Sequence, residues 1–128
     1  MNILQPDGWP PPKGFANGIL AEGRTVWVAG QIGMDPAGVL APDLPAQVEQ
    51  ALRNIEAVLA VAGARPAQIV RLTWYMTDLA RYEARLKEVG AAYRRVMGRH
   101  FPTMTVVEIA RLVERRALVE IEATAVLP

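Results

Sequence analysis

The sequence predicts a two-layer α+β sandwich, with a mixed β-sheet carrying two helices on one face. Three observations lead to it. Short segments of strand-like composition flank two longer segments with helical apolar spacing, in the order β-β-α-β-α-β-β. The strand–helix–strand units imply parallel strands joined by right-handed crossovers, which place both helices on the same side. The 128 residues fit one domain, and a chain of this size buries roughly two-thirds of its unfolded surface.

Residues 1–14 read as an extended arm. Pro6, Gly8, Pro10, Pro11, Pro12 and Gly14 forbid a regular helix, and Trp9 within the arm is expected to pack on something. Residues 15–20 and 25–30 read as strands, and Ala21-Glu22-Gly23-Arg24 between them suggests a hairpin. Residues 33–45 contain Gly33, Pro36, Gly38, Pro42 and Pro45 and read as loop. Val48, Ala51, Leu52, Ile55, Val58, Leu59 and Ala62 then make one helical stripe, with polar residues between them. Gly63 stops that helix, and Pro66 follows.

Residues 69–76 read as a strand, and Asp78 is placed to cap a second helix over 79–97. That helix carries the stripe Tyr82, Leu86, Val89, Tyr93, Val96 and Met97, and Gly98 ends it. Residues 103–110 and 117–126 are the last two strands, with Arg111, Glu114, Arg115 and Arg116 at their connection.

Composition removes several function classes. The formal charge is +1, so no concentrated basic surface for nucleic acid is implied. There is no cysteine, which excludes disulfides, thiolate nucleophiles and cysteine-bound metals and fits a cytoplasmic protein. One histidine and scattered carboxylates make no metal cluster. No segment approaches the roughly 20 apolar residues of a membrane span, and the first residues do not read as a signal peptide.

Alternation gives each strand two faces. Val26, Val28, Val70, Leu72, Trp74, Met76, Val107, Ile109, Val119, Ile121, Ala123 and Ala125 are expected to meet the helices. The opposite set is mixed: Trp27, Ala29, Arg71, Thr73, Tyr75, Met104, Val106, Glu108, Ala110, Glu120, Glu122 and Thr124. A face that is neither apolar nor fully charged suits a homo-oligomer whose sheets close around a partly polar interior.

Three stretches resemble the Rid/YjgF family. They are Val26-Trp27-Val28-Ala29-Gly30-Gln31-Ile32, the helix over 46–62 with the strand after it, and Phe101-Pro102-Thr103-Met104-Thr105-Val106-Val107-Glu108 followed by Val119-Glu120-Ile121-Glu122-Ala123. The resemblance covers nearly the whole chain. It implies a chorismate-mutase-like homotrimer with a small-molecule cleft at each subunit interface. In the deaminating branch that cleft hydrolyses an imine or enamine to a ketone and ammonia without a metal or cofactor.

Residue by residue, the resemblance is uneven. The family's substrate-clamping arginine falls at Met104, its cleft tyrosine at Phe15, its serine at Ala29, its cysteine at Val106, and its helix asparagine near Gly90. A thioether cannot make the paired hydrogen bonds of a guanidinium, and losing such a pair removes on the order of 2–5 kcal/mol of binding. Gly30 and the water-positioning Glu120 persist.

The resemblance therefore implies a cleft lined by Phe15, Trp27, Ala29, Gly30, Met104 and Val106, with Glu120 as general base. The alternative for Glu120 is an interface carboxylate paired with Arg71 or another arginine. His100, the single histidine, and Arg24 are candidates to replace the lost arginine, against the plainer reading of both as surface residues. A non-catalytic small-molecule-binding trimer and a structural or chaperone-like trimer are the competing functions.

Overall fold

A computed structural model describes residues 1–128. Its elements are β1 (Asn2–Leu4), β2 (Gly18–Leu20), β3 (Arg24–Ile32), α1 (Leu44–Val61), a 3-10 turn (Pro66–Gln68), β4 (Ile69–Met76), α2 (Leu79–Ala84), α3 (Leu86–Met97), β5 (Thr103–Glu108) and β6 (Val119–Leu127). The main sheet has the order β3-β6-β4-β5. β6 runs antiparallel to both neighbours, and β4 and β5 are parallel. The two-layer α+β sandwich with helices on one face is the fold the sequence predicts.

The core lies between that sheet and α1 and α3. Val48, Leu52, Ile55 and Leu59 of α1 meet Leu72, Trp74, Met76, Val119 and Ile121 of the sheet, all buried. Each buried large aliphatic side chain contributes about 1.5–3 kcal/mol, so this stripe is what holds helix to sheet. Trp74 lies under the helices as expected and stacks on Tyr93, ring centres 6.1 Å apart.

Helix ends follow their signals. Asp43 caps α1 by accepting from the Ala46 amide at 2.9 Å, and Pro45 sits in the first turn, where its missing N–H costs nothing. The helix therefore starts before residue 46, and Pro45, the last proline of the expected loop, belongs to it. Asp78 accepts from the Arg81 amide at 3.1 Å and caps α2.

Three expectations are corrected. The helix over 79–97 is two helices, broken at Arg85, whose φ of −123° leaves the helical range. No glycine or proline marks the break. Glu108 at the end of β5 accepts from the Leu79 amide at 3.0 Å, so the start of α2 is tied to the sheet edge and its direction is set separately from α3.

Residues 15–20 and 25–30 do not form a hairpin. β2 pairs with β1 in a separate two-stranded sheet, and β3 takes β6 as its partner. The arm thus doubles back on itself. Just before β2, Ala16 bridges to Thr103, its amide donating to the Pro102 carbonyl at 3.0 Å. Trp9 is 58% exposed within one chain.

The faces of β5 are exchanged. Met104 and Val106 pack against the core and Val107 is exposed. The parallel register sets Leu72 beside Met104 and Trp74 beside Val106, and aligned residues share a face.

Candidate functional site

Glu120 and Gly30 meet at an irregularity in β3. Between Val28 and Gln31 the register with β6 shifts, so Ala29 and Gly30 face the single residue Glu122. Such a bulge bends the strand and re-aims its neighbours. A β-carbon on Gly30 would stand 2.7 Å from Glu120 Oε1, closer than real contacts allow. The bare glycine lets the carboxylate rest on the backbone. Glu120 takes part in none of the chain's ion pairs, so the expected alternative of pairing with Arg71 is absent within one chain.

Gly30 and Glu120 line a pocket of about 560 Å³ together with Gln31, Ile32, Asn54 and Glu114. Asn54 of α1 builds its wall. Its amide donates to the Ile32 carbonyl at 3.2 Å and the Met34 carbonyl at 2.8 Å, fixing the chain as it leaves β3. One helix turn pair earlier, the buried Gln47 accepts from the Leu118 amide at 2.8 Å and donates to the Ala41 carbonyl at 3.0 Å. It ties the start of β6, and so Glu120, to α1. At the outer wall Arg116 binds Glu114 at 3.0 Å and holds that carboxyl below its usual pKa.

Phe15, Met104 and Val106 line a second pocket, of about 400 Å³. Its walls are largely aromatic, with Trp74, Tyr82, Tyr93 and Phe101. The Tyr93 and Phe101 rings stack at 5.7 Å, and the Tyr93 hydroxyl donates to the His100 carbonyl at 2.6 Å. Burial holds the Tyr93 proton well above the ordinary tyrosine pKa and raises that of Tyr82 as well. Lys13 and Arg94 stand in the lining too.

Trp27 and Ala29 occupy a third place, the open face of the sheet, beside Arg71, Thr73, Glu122 and Thr124. Trp27 is 77% exposed. On the same face the Tyr75 hydroxyl donates to Glu122 at 2.7 Å, which raises its pKa. β3 and β5 are opposite edges of the sheet, three strand spacings or about 14 Å apart. Within one chain, the expected cleft residues are therefore divided and not gathered.

Neither candidate for the lost arginine lines the pocket around Met104. The His100 ring nitrogen donates to the Ile69 carbonyl at 2.7 Å, which occupies it in holding the start of β4. Arg24 opens β3 and pairs with Leu127, far along the sheet from Gly30. Sequence reasoning missed Asn54, Gln47, Lys13 and Arg94. The first two carried a signal, as amides seven apart on the apolar side of a helix.

No group of three histidine, cysteine, aspartate or glutamate side chains is placed to hold a metal. No helix is long and apolar enough to cross a membrane.

Comparison with known proteins fits this geometry. Residues 10–127 match the family model described as endoribonuclease L-PSP. A RutC family protein of Pyrococcus horikoshii is 34% identical over 125 residues, covering 96% of this chain and 95% of its own. The 2-iminobutanoate/2-iminopropanoate deaminase of Salmonella typhimurium is 37% identical over 108 residues, covering 81% and 80%. A Rid-family protein of unknown function from Yersinia pestis superposes with a TM-score of 0.85 at 32% identity over 98% of each chain. TdcF of E. coli, solved with bound serine, gives a TM-score of 0.72 at 28% identity over all of both chains. The chain therefore belongs to the Rid/YjgF family, in which the RutC and endoribonuclease L-PSP proteins are grouped.

Proposed function

We propose that this chain is a cofactor-free hydrolase of C=N bonds, working on an imine or enamine in a cleft that a second copy completes within a homotrimer. The observation that carries the reading is the Glu120 carboxylate, committed to no ion pair and held against the Gly30 backbone at the edge of a pocket. The relative named for imine deamination and the serine bound to TdcF support it. The division of the candidate residues over two sheet edges supports a cleft closed by a neighbour. Phe15, Met104 and Val106 supply one wall, and Gly30 with Glu120 of the adjoining copy supplies the other.

The chemistry needs only water and proton transfers. Glu120 takes a proton from water as its oxygen adds to the imine carbon, the C=N electron pair moves onto nitrogen, and Glu120 returns the proton there. The resulting amino alcohol gains a proton on nitrogen and loses one from its hydroxyl. The C–N bond then breaks, leaving a ketone and ammonia. An enamine first gains a proton on carbon and becomes the imine.

The loss of the arginine at position 104 favours a second reading, a trimer that binds a small molecule without turning it over. The test is ammonia release from imines generated in place by an amino-acid oxidase, for wild type and Glu120→Gln. Acceleration by wild type that Glu120→Gln abolishes supports the hydrolase. Saturable binding with no acceleration on any imine selects the second reading.

A further inference from the structure

The aromatic pocket around Met104 is lined by two cations and no carboxylate. Lys13 comes from the arm and Arg94 from α3, and neither takes part in an ion pair. The neighbouring Arg95, by contrast, is held by Glu49 at 2.6 Å. Arg94 follows Gly90 by one helix turn, so both lie on the same face. Helical side chains lean toward the N-terminus, over the residue four earlier. Here that residue has no side chain, and Arg94 Nη1 lies 3.4 Å from where a Gly90 β-carbon would be. The guanidinium is therefore laid across bare helix backbone beside the pocket, and a larger side chain at position 90 would contest that path.

We propose that Arg94, reaching over Gly90, anchors the substrate carboxylate in place of the cation missing at position 104, and that the substrate class is 2-imino acids with a bulky apolar or aromatic side chain. The inference rests on the pocket being one wall of the reaction cleft. Phe15, Met104 and Val106 offer only apolar surface to the body of a ligand, and a guanidinium pairs with a carboxylate through two parallel hydrogen bonds. Lys13 adds a second positive charge. An apolar anion satisfies both halves of that lining.

The test is calorimetric titration of the full chain with two stable product analogues, phenylpyruvate and 2-oxobutanoate. Phenylpyruvate is expected to bind at least tenfold more tightly. Arg94→Met is expected to weaken it at least tenfold. Gly90→Asn, which places a side chain under the guanidinium, is expected to weaken it as well. Arg95→Met should leave binding unchanged, and Met104→Arg should restore it in the Arg94→Met background. Binding that Arg94→Met does not alter, equal affinity for both acids, or binding of neither overturns the inference. Arg94 and Arg95 are exposed, so substituting them does not put folding at stake. Arg94-dependent binding without ammonia release by wild type keeps this inference and removes the hydrolase reading. Ammonia release whose KM Arg94→Met leaves unchanged does the reverse.

Discussion

The Glu120 carboxylate rests on the α-carbon of Gly30, in the space any other residue's β-carbon would fill. The strand bulge puts it there, because Ile32 pairs with Glu120 while Gly30 is displaced from the ladder. The backbone at Gly30 does not need a positive φ. Alanine can therefore adopt the fold, and the Glu120 side chain is what must swing away. Gly30→Ala is expected to change unfolding free energy by no more than about 1 kcal/mol while lowering turnover at least tenfold. Glu120→Gln keeps the shape and removes the base, so its rate loss should be on the order of 100-fold or more. Urea titration beside an ammonia assay checks both, and a large stability loss with an unchanged rate would place Glu120 in the framework only.

Gln47 joins three segments that meet behind the same pocket. It is 2% exposed, and its amide serves the Leu118 N–H and the Ala41 carbonyl. Gln47→Leu fills a similar volume but leaves both backbone groups without a partner. The expected cost is about 2–4 kcal/mol, since each buried polar group left unsatisfied costs roughly 1–3. Because Leu118 precedes the strand that carries Glu120, turnover should fall as well. Chemical unfolding and amide hydrogen exchange at Leu118 measure the two effects separately.

Much of the architecture was legible in local pattern. The stripe through Val48, Leu52, Ile55 and Leu59, the Asp78 cap and the buried Trp74 are properties of a helix or strand by itself. What was not legible depends on which strands become neighbours. The exchange of faces in β5 follows from its register with β4, and an edge strand covered on one side gives only a weak alternation. The β1–β2 pairing is a contact across the arm, and no turn residue announces it. Family resemblance named Gly30 and Glu120 as site candidates, and the structure sets the two in contact. It could not find Arg94, because a guanidinium delivered from a helix over a glycine occupies no position in the β5 motif.

Tyr93 gives the fold an alkaline limit. Its hydroxyl donates to the His100 carbonyl at 2.6 Å and burial raises its pKa. The protonated form is therefore favoured in the folded state. That stability is fully present below the unfolded tyrosine value of about 10 and is lost as pH rises through the folded value. Tyr93→Phe removes the hydrogen bond, worth about 1 kcal/mol at neutral pH, together with the titration. Wild type is expected to lose thermal stability more steeply than Tyr93→Phe between pH 9 and 11. Parallel slopes in thermal melts across that range would assign the alkaline loss elsewhere.

A cleft built from two copies can be tested by mixing defective chains. Met104→Glu places a carboxylate in the aromatic pocket and repels an anionic substrate there. Glu120→Gln disables the other wall. Each variant alone is expected to be nearly inactive. If one wall of every cleft comes from each of two neighbours, a mixed assembly contains some clefts with an intact Met104 wall and an intact Glu120. Every mixed trimer then has one intact cleft of three, so the isolated mixed species should recover roughly a third of the wild-type rate. Co-expression with two different tags and tandem purification isolates the mixed species, and sedimentation velocity gives their subunit number. If each chain holds a whole site, no mixture can contain an intact one, and the recovered rate stays at the level of the separate variants.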